Sequence, residues 1–270
     1  MRIYTIVCVF SFFLFSLSSP AAAELVYVPL PIEAEETVVA NNIPMVLYLS
    51  ERLGVPIRIR YEKDYSRILQ LVEEGRVDLL QLGPLPYMAL KTSYPQVQPL
   101  AVINEPGGEA EYTCALVSSF DGPQSIDEIQ GLLALPQPLS TCGHFSISFL
   151  FAQKKLDIEQ SGYHYLGNHD NVALAVIRGE FEAGVVKMQV AKKYQGLALK
   201  ILAETPPFPG FMIVGNTKTL SPEQISQIGH LLLEVNGRTR SSWITGKDGF
   251  SIPSDQNFDL LYPYAETLRP

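Results

Sequence analysis

The chain has 270 residues, of which 47% are apolar and 18% are charged, and its formal net charge is −8. Proteins that bind nucleic acid usually carry basic patches that displace counterions. Here 20 basic residues are scattered along the chain and outnumbered by 28 acidic residues, so nucleic acid is not an expected partner. The three cysteines and four histidines have no metal-type spacing, so no structural metal and no cofactor is predicted.

The amino terminus has the layout of a signal peptide. Arg2 precedes an apolar stretch over residues 3–17, and a cleavage site of small residues ends at Ala23. The apolar stretch is shorter than the roughly 20 residues of a membrane span, and an uncleaved anchor is the alternative. We therefore exclude residues 1–23 from the fold and expect a periplasmic protein.

The first part of the remaining chain alternates helices with strands. Capping residues and stop glycines locate the helices, and apolar runs locate the strands. In chain order the sequence predicts a helix over 44–53 that ends at Gly54, a strand over 55–60, a helix capped by Asp64 and ended by Gly75, and a strand over 77–82. Gly83 and Pro84 then break the chain.

The same alternation resumes in the second part. The predicted elements are a strand over 112–117, a short helix with a capping box of Ser125 and Glu128, a strand over 132–135, a helix from about Ser140, a strand over 163–166, a helix over 170–178, strands over 183–186 and 211–214, and a helix opened by residues 221–224 that runs to Gly237. Such alternation favours mostly parallel sheets with a ligand crevice outside the carboxyl ends of the strands.

Three segments resemble the periplasmic phosphate-, phosphite- and phosphonate-binding proteins of ABC importers. They are KDYSRILQLVEEGRVDLLQLGPLPYMAL, LSTCGHFSISFLF and LGNHDNVALAVIRGEFEAGVV, which contain Asp-Tyr, Gly-Pro, Ser-Thr-x-Gly and His-Asp in order. The resemblance implies an α/β fold of the type II periplasmic-binding-protein kind, with two lobes and two hinge strands. Residues 24–112 and 214–270 would form lobe one, and residues 113–213 would form lobe two.

The resemblance also implies a function. A protein of this family would be a monomer that closes on a small oxyanion such as phosphate, phosphite or a phosphonate, passes it to a membrane ABC permease and catalyses no reaction. A sensing module that reports to a membrane kinase or receptor is an alternative that the sequence does not separate. An enzyme that uses Ser140, Cys142, His169 and Asp170 is a further alternative, but the chain lacks the signature of any such class.

Ser140, Thr141, Cys142 and Gly143 lie where a strand and a proline turn lead into a predicted helix. The first amides of a helix lack intrahelical partners and carry partial positive charge, so this segment can bind an oxyanion without Lys or Arg. The alternative is that Ser140 or Thr141 only caps the helix. The resemblance favours the anion site, because the segment aligns with the phosphonate-binding Ser-Thr-Ser of the family. Cys142 replaces the last serine, and its pairing with Cys114 is permitted in an export compartment but not decided.

Five further residues are candidates for the ligand site. Asp170 is predicted to cap a helix, whereas His169 aligns with a ligand contact of the family and is expected to gain charge at mildly acid pH. Tyr65 and Tyr112 align with family positions that touch the ligand, and Tyr87 lies after a strand, where crevice residues are common. For each tyrosine the alternative is packing, with the hydroxyl reaching solvent.

Lys187 departs from the pattern of the family. Members that bind aminoalkylphosphonates carry an acidic residue after this strand, which receives the amine of the ligand. A lysine beside the cleft would repel an ammonium group and attract an anion, so we hypothesise a ligand without an amine. The alternative is that Lys187 points into water at a helix start.

Overall fold

The computed structural model describes residues 24–254 together with Phe258 and Leu261. The predicted signal peptide, residues 1–23, lies outside the described residues. The strands are β1 (Leu25–Val28), β2 (Ile57–Ile59), β3 (Leu79–Leu82), β4 (Val97–Ile103), β5 (Glu111–Tyr112), β6 (Cys114–Ser119), β7 (Leu133–Leu135), β8 (Tyr163–Tyr165), β9 (Ala183–Lys187), β10 (Leu199–Glu204), β11 (Phe208–Pro209), β12 (Met212–Asn216) and β13 (Phe250–Ser251). The α-helices are α1 (Glu35–Leu53), α2 (Tyr65–Glu73), α3 (Pro84–Ser93), α4 (Ser146–Ala152), α5 (His169–Ile177), α6 (Met188–Tyr194) and α7 (Pro222–Glu234).

Two sheets form the centres of two lobes. Lobe one contains a six-stranded sheet in the order β13-β4-β12-β3-β1-β2, and lobe two contains a five-stranded sheet in the order β10-β6-β9-β7-β8. The chain passes between the lobes twice, and at the crossing β5 and β11 form a short antiparallel ribbon in which Tyr112 lies opposite Phe208. The two-lobed α/β fold is thus confirmed. Strand β12 of lobe one begins at Met212, just before the lobe start predicted at residue 214.

The prediction of mostly parallel sheets is wrong. The parallel pairs are β1 with β2 and β3 in lobe one, and β7 with β8 and β9 in lobe two. Strand β12 is antiparallel to β3 and β4, and β6 is antiparallel to β9 and β10. Strands β6 and β12 bring the chain from the hinge into each lobe, so they run against their neighbours. The order of helices and strands along a chain does not reveal this crossing.

Two prolines led to wrong predictions, one of a helix start and one of a chain break. The helix predicted to begin at Pro44 begins at Glu35, and Pro44 lies inside it although proline lacks the N–H of a helix interior. Its predicted stop is confirmed, because Gly54 has a left-handed φ of 65°. Helix α3 was not predicted, because Gly83 and Pro84 suggested a break. Pro84 instead occupies the first helical position, where the missing N–H has no intrahelical partner to lose.

Two predicted helix starts are confirmed by their caps. The Asp64 carboxylate accepts a hydrogen bond from the Arg67 N–H at 3.0 Å and begins α2. The Ser221 hydroxyl accepts from the Gln224 N–H at 3.2 Å, and the Gln224 side chain accepts from the Ser221 N–H at 2.9 Å. This reciprocal pair satisfies two donors that the first turn of α7 leaves free.

The capping box predicted for Ser125 and Glu128 does not form. Its helix is a single 3-10 turn without a side-chain cap. The Glu128 carboxylate accepts from the Gln124 N–H at 2.8 Å and from the Ser125 hydroxyl at 3.3 Å, so neither half of the reciprocal pair forms. The predicted stop of α7 at Gly237 is also wrong, because the helix ends at Glu234 and is followed by extended backbone. At Ser125 the neighbouring side chains offer competing local hydrogen bonds.

The larger core cluster runs through both lobes. It includes Leu79 and Met212 from lobe one, and Leu133 and Phe151 from lobe two. A second, smaller cluster around Val172 lies on the other face of the lobe-two sheet. The lobes therefore pack against one another across the hinge. Among the described helices, none is both long enough and apolar enough to cross a membrane.

Candidate functional site

An enclosed pocket lies at the boundary between the lobes. Its lining comes from the segments that follow the carboxyl ends of parallel strands, together with two hinge aromatics: Leu30, Tyr65, Gly83, Pro86, Tyr112, Ser140, Thr141, Cys142, His169 and Phe211. The crevice predicted at the strand ends is therefore present. It leaves only about 10 Å³ for the centre of a water-sized sphere, which is roughly what one water molecule requires.

The segment after β7 brings Ser140 and Thr141 to the pocket. The Gln137 carbonyl accepts a hydrogen bond from the Ser140 N–H at 3.0 Å, with Pro138 at the second position of the turn, where its fixed φ is favourable. A Cβ on Gly143 would lie 3.1 Å from the Gln137 carbonyl oxygen. The tight turn thus favours glycine at 143, because even a single Cβ would crowd this carbonyl.

The helix predicted to start at Ser140 starts later. Cys142 has φ −85° and ψ 51°, and Gly143 has φ −133° and ψ −132°, so neither is helical. Regular helix α4 begins at Ser146 and is short. The candidate anion site is therefore an irregular loop before the helix, and its donors are local amides and hydroxyls more than the partial charge of a helix end.

Thr141 links the two lobes. Its Oγ1 accepts a hydrogen bond from the Leu85 N–H in the first turn of α3 at 3.1 Å. The Thr141 carbonyl accepts from the Ser146 hydroxyl at 2.6 Å. With only 3% of its surface exposed, Thr141 is fixed by contacts to lobe one and to its own lobe.

Cys114 and Cys142 form a disulfide, with their Cα atoms 5.3 Å apart. Both residues are buried. The bond ties the pocket loop to the first residue of β6, two positions after Tyr112. Cys142 therefore contributes a rigid, apolar wall to the pocket and has no thiol.

Two of the three candidate tyrosines line the pocket. Burial raises the pKa of both Tyr65 and Tyr112 far above its ordinary value, so both are neutral hydroxyl donors at physiological pH. Tyr87 does not line the pocket, because its ring packs against Phe258 with centroids 5.7 Å apart. A ligand contact of Tyr87 therefore stays a prediction.

His169 lines the pocket as a neutral imidazole. Its Nδ1 accepts from the Lys187 backbone N–H at 3.3 Å, which assigns the ring proton to Nε2. Burial, reinforced by the nearby Lys187 charge, lowers the pKa of His169 to about 3. The expectation that His169 gains charge at mildly acid pH is therefore wrong, because a buried imidazolium next to an ammonium group is costly.

Asp170 neither caps α5 nor lines the pocket. The cap is Asn168, whose side chain accepts from the Asn171 N–H at 2.8 Å. The Asp170 carboxylate instead pairs with Lys193 at 3.0 Å, and Lys193 also reaches Glu33 of lobe one at 3.0 Å. Asp170 thus belongs to an ion-pair group at the rim of the cleft.

Lys187 is buried and does not point into water, so that alternative is wrong. Its ammonium group pairs with Glu105 and lies 4.4 Å from the ring centroid of Phe211 and 5.1 Å from that of Tyr112. Those two rings line the enclosed pocket, whereas Lys187 and Glu105 line a neighbouring cavity of about 610 Å³ that shares Phe211 with it. Burial lowers the pKa of Lys187, although the Glu105 carboxylate acts in the opposite direction.

Sequence reasoning missed four lining residues: Leu30, Gly83, Pro86 and Phe211. The sequence signal at Gly83 is its position directly after a predicted buried strand. In the structure a Cβ there would lie 3.4 Å from the Phe211 ring. The lining as a whole contains hydroxyl and imidazole donors but no Lys or Arg. In the part of the chain that the structure describes, no group of three or more His, Cys, Asp or Glu residues is arranged to hold a metal ion.

Solved structures share this fold. PhnD1 of Prochlorococcus marinus in complex with methylphosphonate is 15% identical, with a TM-score of 0.81 over 91% of this chain and 98% of that chain. A binding-protein component of an ABC phosphonate transporter from Pseudomonas aeruginosa is 17% identical, with a TM-score of 0.75 over 90% of this chain and 84% of that chain. At these identities the similarity shows the fold alone.

Sequence comparisons identify the family. The chain is 26% identical over 176 residues to the phosphate-import protein PhnD of Mycolicibacterium smegmatis, and the match covers 57% of this chain and only about half of that relative, 52%. The family described as ABC transporter, phosphonate, periplasmic substrate-binding protein matches residues 27–258. This match includes both lobes and every residue of the pocket lining. The chain therefore belongs to the family of periplasmic phosphonate-binding proteins of ABC transporters.

Proposed function

We propose that this chain captures a small tetrahedral oxyanion, namely phosphate, phosphite or a phosphonate, in the periplasm and delivers it to a membrane ABC permease. The observation that carries the proposal is the enclosed pocket between the lobes, where buried hydroxyl and imidazole groups converge. Family membership supports the same function, since the family consists of substrate-binding components of importers.

The proposed donors are neutral. They are the hydroxyls of Ser140, Thr141, Tyr65 and Tyr112 and the Nε2–H of His169, the only ring proton left once Nδ1 accepts from Lys187. Donors that need no counterion can surround a desolvated anion without burying a cation as well. A hydrogen bond to a charged group contributes roughly 1.5 to 3 kcal/mol, so several of them together replace the hydration that the anion loses.

The narrow pocket favours a compact ligand. In the closed arrangement the space is close to that of one water molecule, so the ligand must enter an opened cleft and the lobes must adjust around it. A ligand stabilises the closed form only through contacts made with both lobes at once. Tyr65 from lobe one and Thr141 from lobe two are the pair that we assign to this role.

The ion pair of Lys187 and Glu105 supports a ligand without an amine. An ammonium group on the ligand would need a carboxylate in the pocket, and the lining contains none. The carboxylate of Glu105 lines the neighbouring cavity and is already paired with Lys187. We therefore expect 2-aminoethylphosphonate to bind more weakly than methylphosphonate.

Two features argue for binding without catalysis. A general base works best when its pKa lies near the operating pH, whereas the pKa of His169 is lowered to about 3. A cysteine nucleophile acts as its thiolate, whereas Cys142 is held in a disulfide. We also propose that residues 1–23 direct export and are removed before Glu24, and that the mature protein is a monomer. Amino-terminal sequencing and light scattering of the secreted protein test both points.

Isothermal titration calorimetry of the purified protein tests the function. Phosphate, phosphite and methylphosphonate are titrated, with 2-aminoethylphosphonate and sulfate for comparison. At least one phosphorus oxyanion should bind, and Tyr112→Phe should weaken that binding about tenfold by removing one donor. Tyr163→Phe in β8, outside the lining, is the matched control and should bind like wild type. Failure of wild type to bind any of the phosphorus oxyanions would contradict the proposal.

A further inference from the structure

The side chain of Gln137 joins the two lobes beside the pocket. Its Oε1 accepts from the Tyr65 N–H at 3.0 Å, and its Nε2 donates to the Lys63 carbonyl at 3.0 Å and to the Gly167 carbonyl at 2.7 Å. Lys63 and Tyr65 belong to lobe one, whereas Gly167 belongs to lobe two. Gln137 is buried, with 6% of its surface exposed, and it does not line the pocket.

The amide of Gln137 matches the start of α2. The first N–H groups of a helix have no intrahelical acceptor. The Asp64 side chain accepts a hydrogen bond from the Arg67 N–H. The Tyr65 N–H donates instead to the side chain of Gln137 in the opposite lobe. A side-chain amide suits this position, because its oxygen accepts from the Tyr65 N–H while its NH2 group donates to the Lys63 and Gly167 carbonyls.

Gln137 contributes both to closure of the lobes and to the arrangement of the pocket walls. If the lobes part, Gln137 loses the bonds to Lys63 and Tyr65 and keeps only the bond to Gly167 within its own lobe. The backbone of Gln137 also holds the turn to Ser140. One residue therefore contacts the loop that carries Ser140 and the helix start that carries Tyr65, which are opposite walls of the pocket.

We propose that Gln137 is a positioning residue that couples closure of the lobes to assembly of the oxyanion pocket. Its two inter-lobe hydrogen bonds favour the closed form before and after ligand binds, and they fix Tyr65 against the Ser140 loop. The inference rests on the proposed function for its ligand, but the closure that Gln137 favours is a property of the protein alone.

The test uses Gln137→Leu and Gln137→Glu, with Gln160→Leu as a control at an exposed position of lobe two. Stopped-flow binding of the tightest phosphorus oxyanion gives association and dissociation rates. Small-angle X-ray scattering, with and without that ligand, gives the compactness of the lobes. Thermal unfolding without ligand measures any general loss of stability.

Loss of two neutral hydrogen bonds should speed ligand dissociation in Gln137→Leu by roughly tenfold or more, and the ligand-free form should be more open by scattering. Gln160→Leu should match wild type in both. In Gln137→Glu a carboxylate faces the Lys63 and Gly167 carbonyls, so dissociation should be fastest at pH 7.5. It should partly recover at pH 5, relative to wild type at the same pH, as the acid regains a donor. A merely structural role would lower the melting temperature without this pH-dependent recovery.

The inference is overturned if Gln137→Leu has the dissociation rate and the ligand-free compactness of wild type, or if it changes only the melting temperature. A wild-type protein that binds no phosphorus oxyanion would contradict the proposed function instead. In that case ligand-free scattering of the Gln137 variants still tests closure. Equal compactness of variants and wild type would then reject the coupling role.

Discussion

Replacing Thr141 with valine keeps the shape of the side chain and removes its hydroxyl. In the closed protein the Leu85 N–H would lose its acceptor. A ligand in the pocket would lose one donor as well. In the open protein the freed N–H can bind water, so the cost should fall on closure and binding more than on folding.

The size of the effect follows from these contacts. A hydrogen bond to a charged ligand contributes roughly 1.5 to 3 kcal/mol, and a buried amide left without an acceptor costs about 1 to 3 kcal/mol. Taking values near the lower ends, we expect a loss of about 3 kcal/mol, which is roughly a hundredfold rise in Kd. The melting temperature without ligand should change little.

Calorimetric titration of Thr141→Val with the tightest oxyanion measures this loss. Thr92→Val near the end of α3, whose hydroxyl donates to the Met88 carbonyl of the same helix, controls for the loss of a threonine hydroxyl. A Kd for Thr141→Val within threefold of wild type would refute the role given to Thr141, whatever the stability of the variant.

Three further predictions concern stability. Replacing Cys114 and Cys142 with serine should lower the unfolding free energy by about 3 to 4 kcal/mol, since the bond closes a loop of separation 28; an unchanged urea midpoint would speak against it. Because the folded pKa of His169, about 3, lies below its ordinary 6.5, the unfolded chain takes up this proton first. Stability should fall from pH 6.5 towards 3 by up to about 1.4 kcal/mol per pH unit, and His169→Gln should remove that part of the slope. Glu105→Gln leaves the Lys187 ammonium buried without its carboxylate and should cost about 3 kcal/mol in urea unfolding, while adding Lys187→Met should recover most of it.

The sequence predicted correctly the helix starts and the helix stop that contacts between neighbouring residues determine. The cap at Asp64, the stop at Gly54 and the reciprocal pair at Ser221 and Gln224 each involve residues a few positions apart, so their patterns are visible in one dimension. The order of strands also predicted that pocket residues follow the strand ends, as Thr141 does after β7.

Contacts between distant segments decided the rest. Lys187 and Glu105 are 82 residues apart, and Gln137 and Tyr65 are 72 apart, so neither pairing leaves a trace in the sequence. The helix predicted at Ser140 failed because the disulfide of Cys142 and the turn at Gln137 hold the loop in non-helical backbone. Family resemblance supplied what periodicity could not, namely the grouping of residues from both lobes around one pocket.

A crystal structure of the protein with methylphosphonate or phosphate bound tests the central claim most directly. The phosphorus oxygens should lie within about 3.2 Å of the Thr141 and Tyr112 hydroxyls and of His169 Nε2, with no Lys or Arg side chain in contact. An anion bound elsewhere, or held in this cleft by a displaced Lys187 ammonium group, would contradict a pocket built from neutral donors.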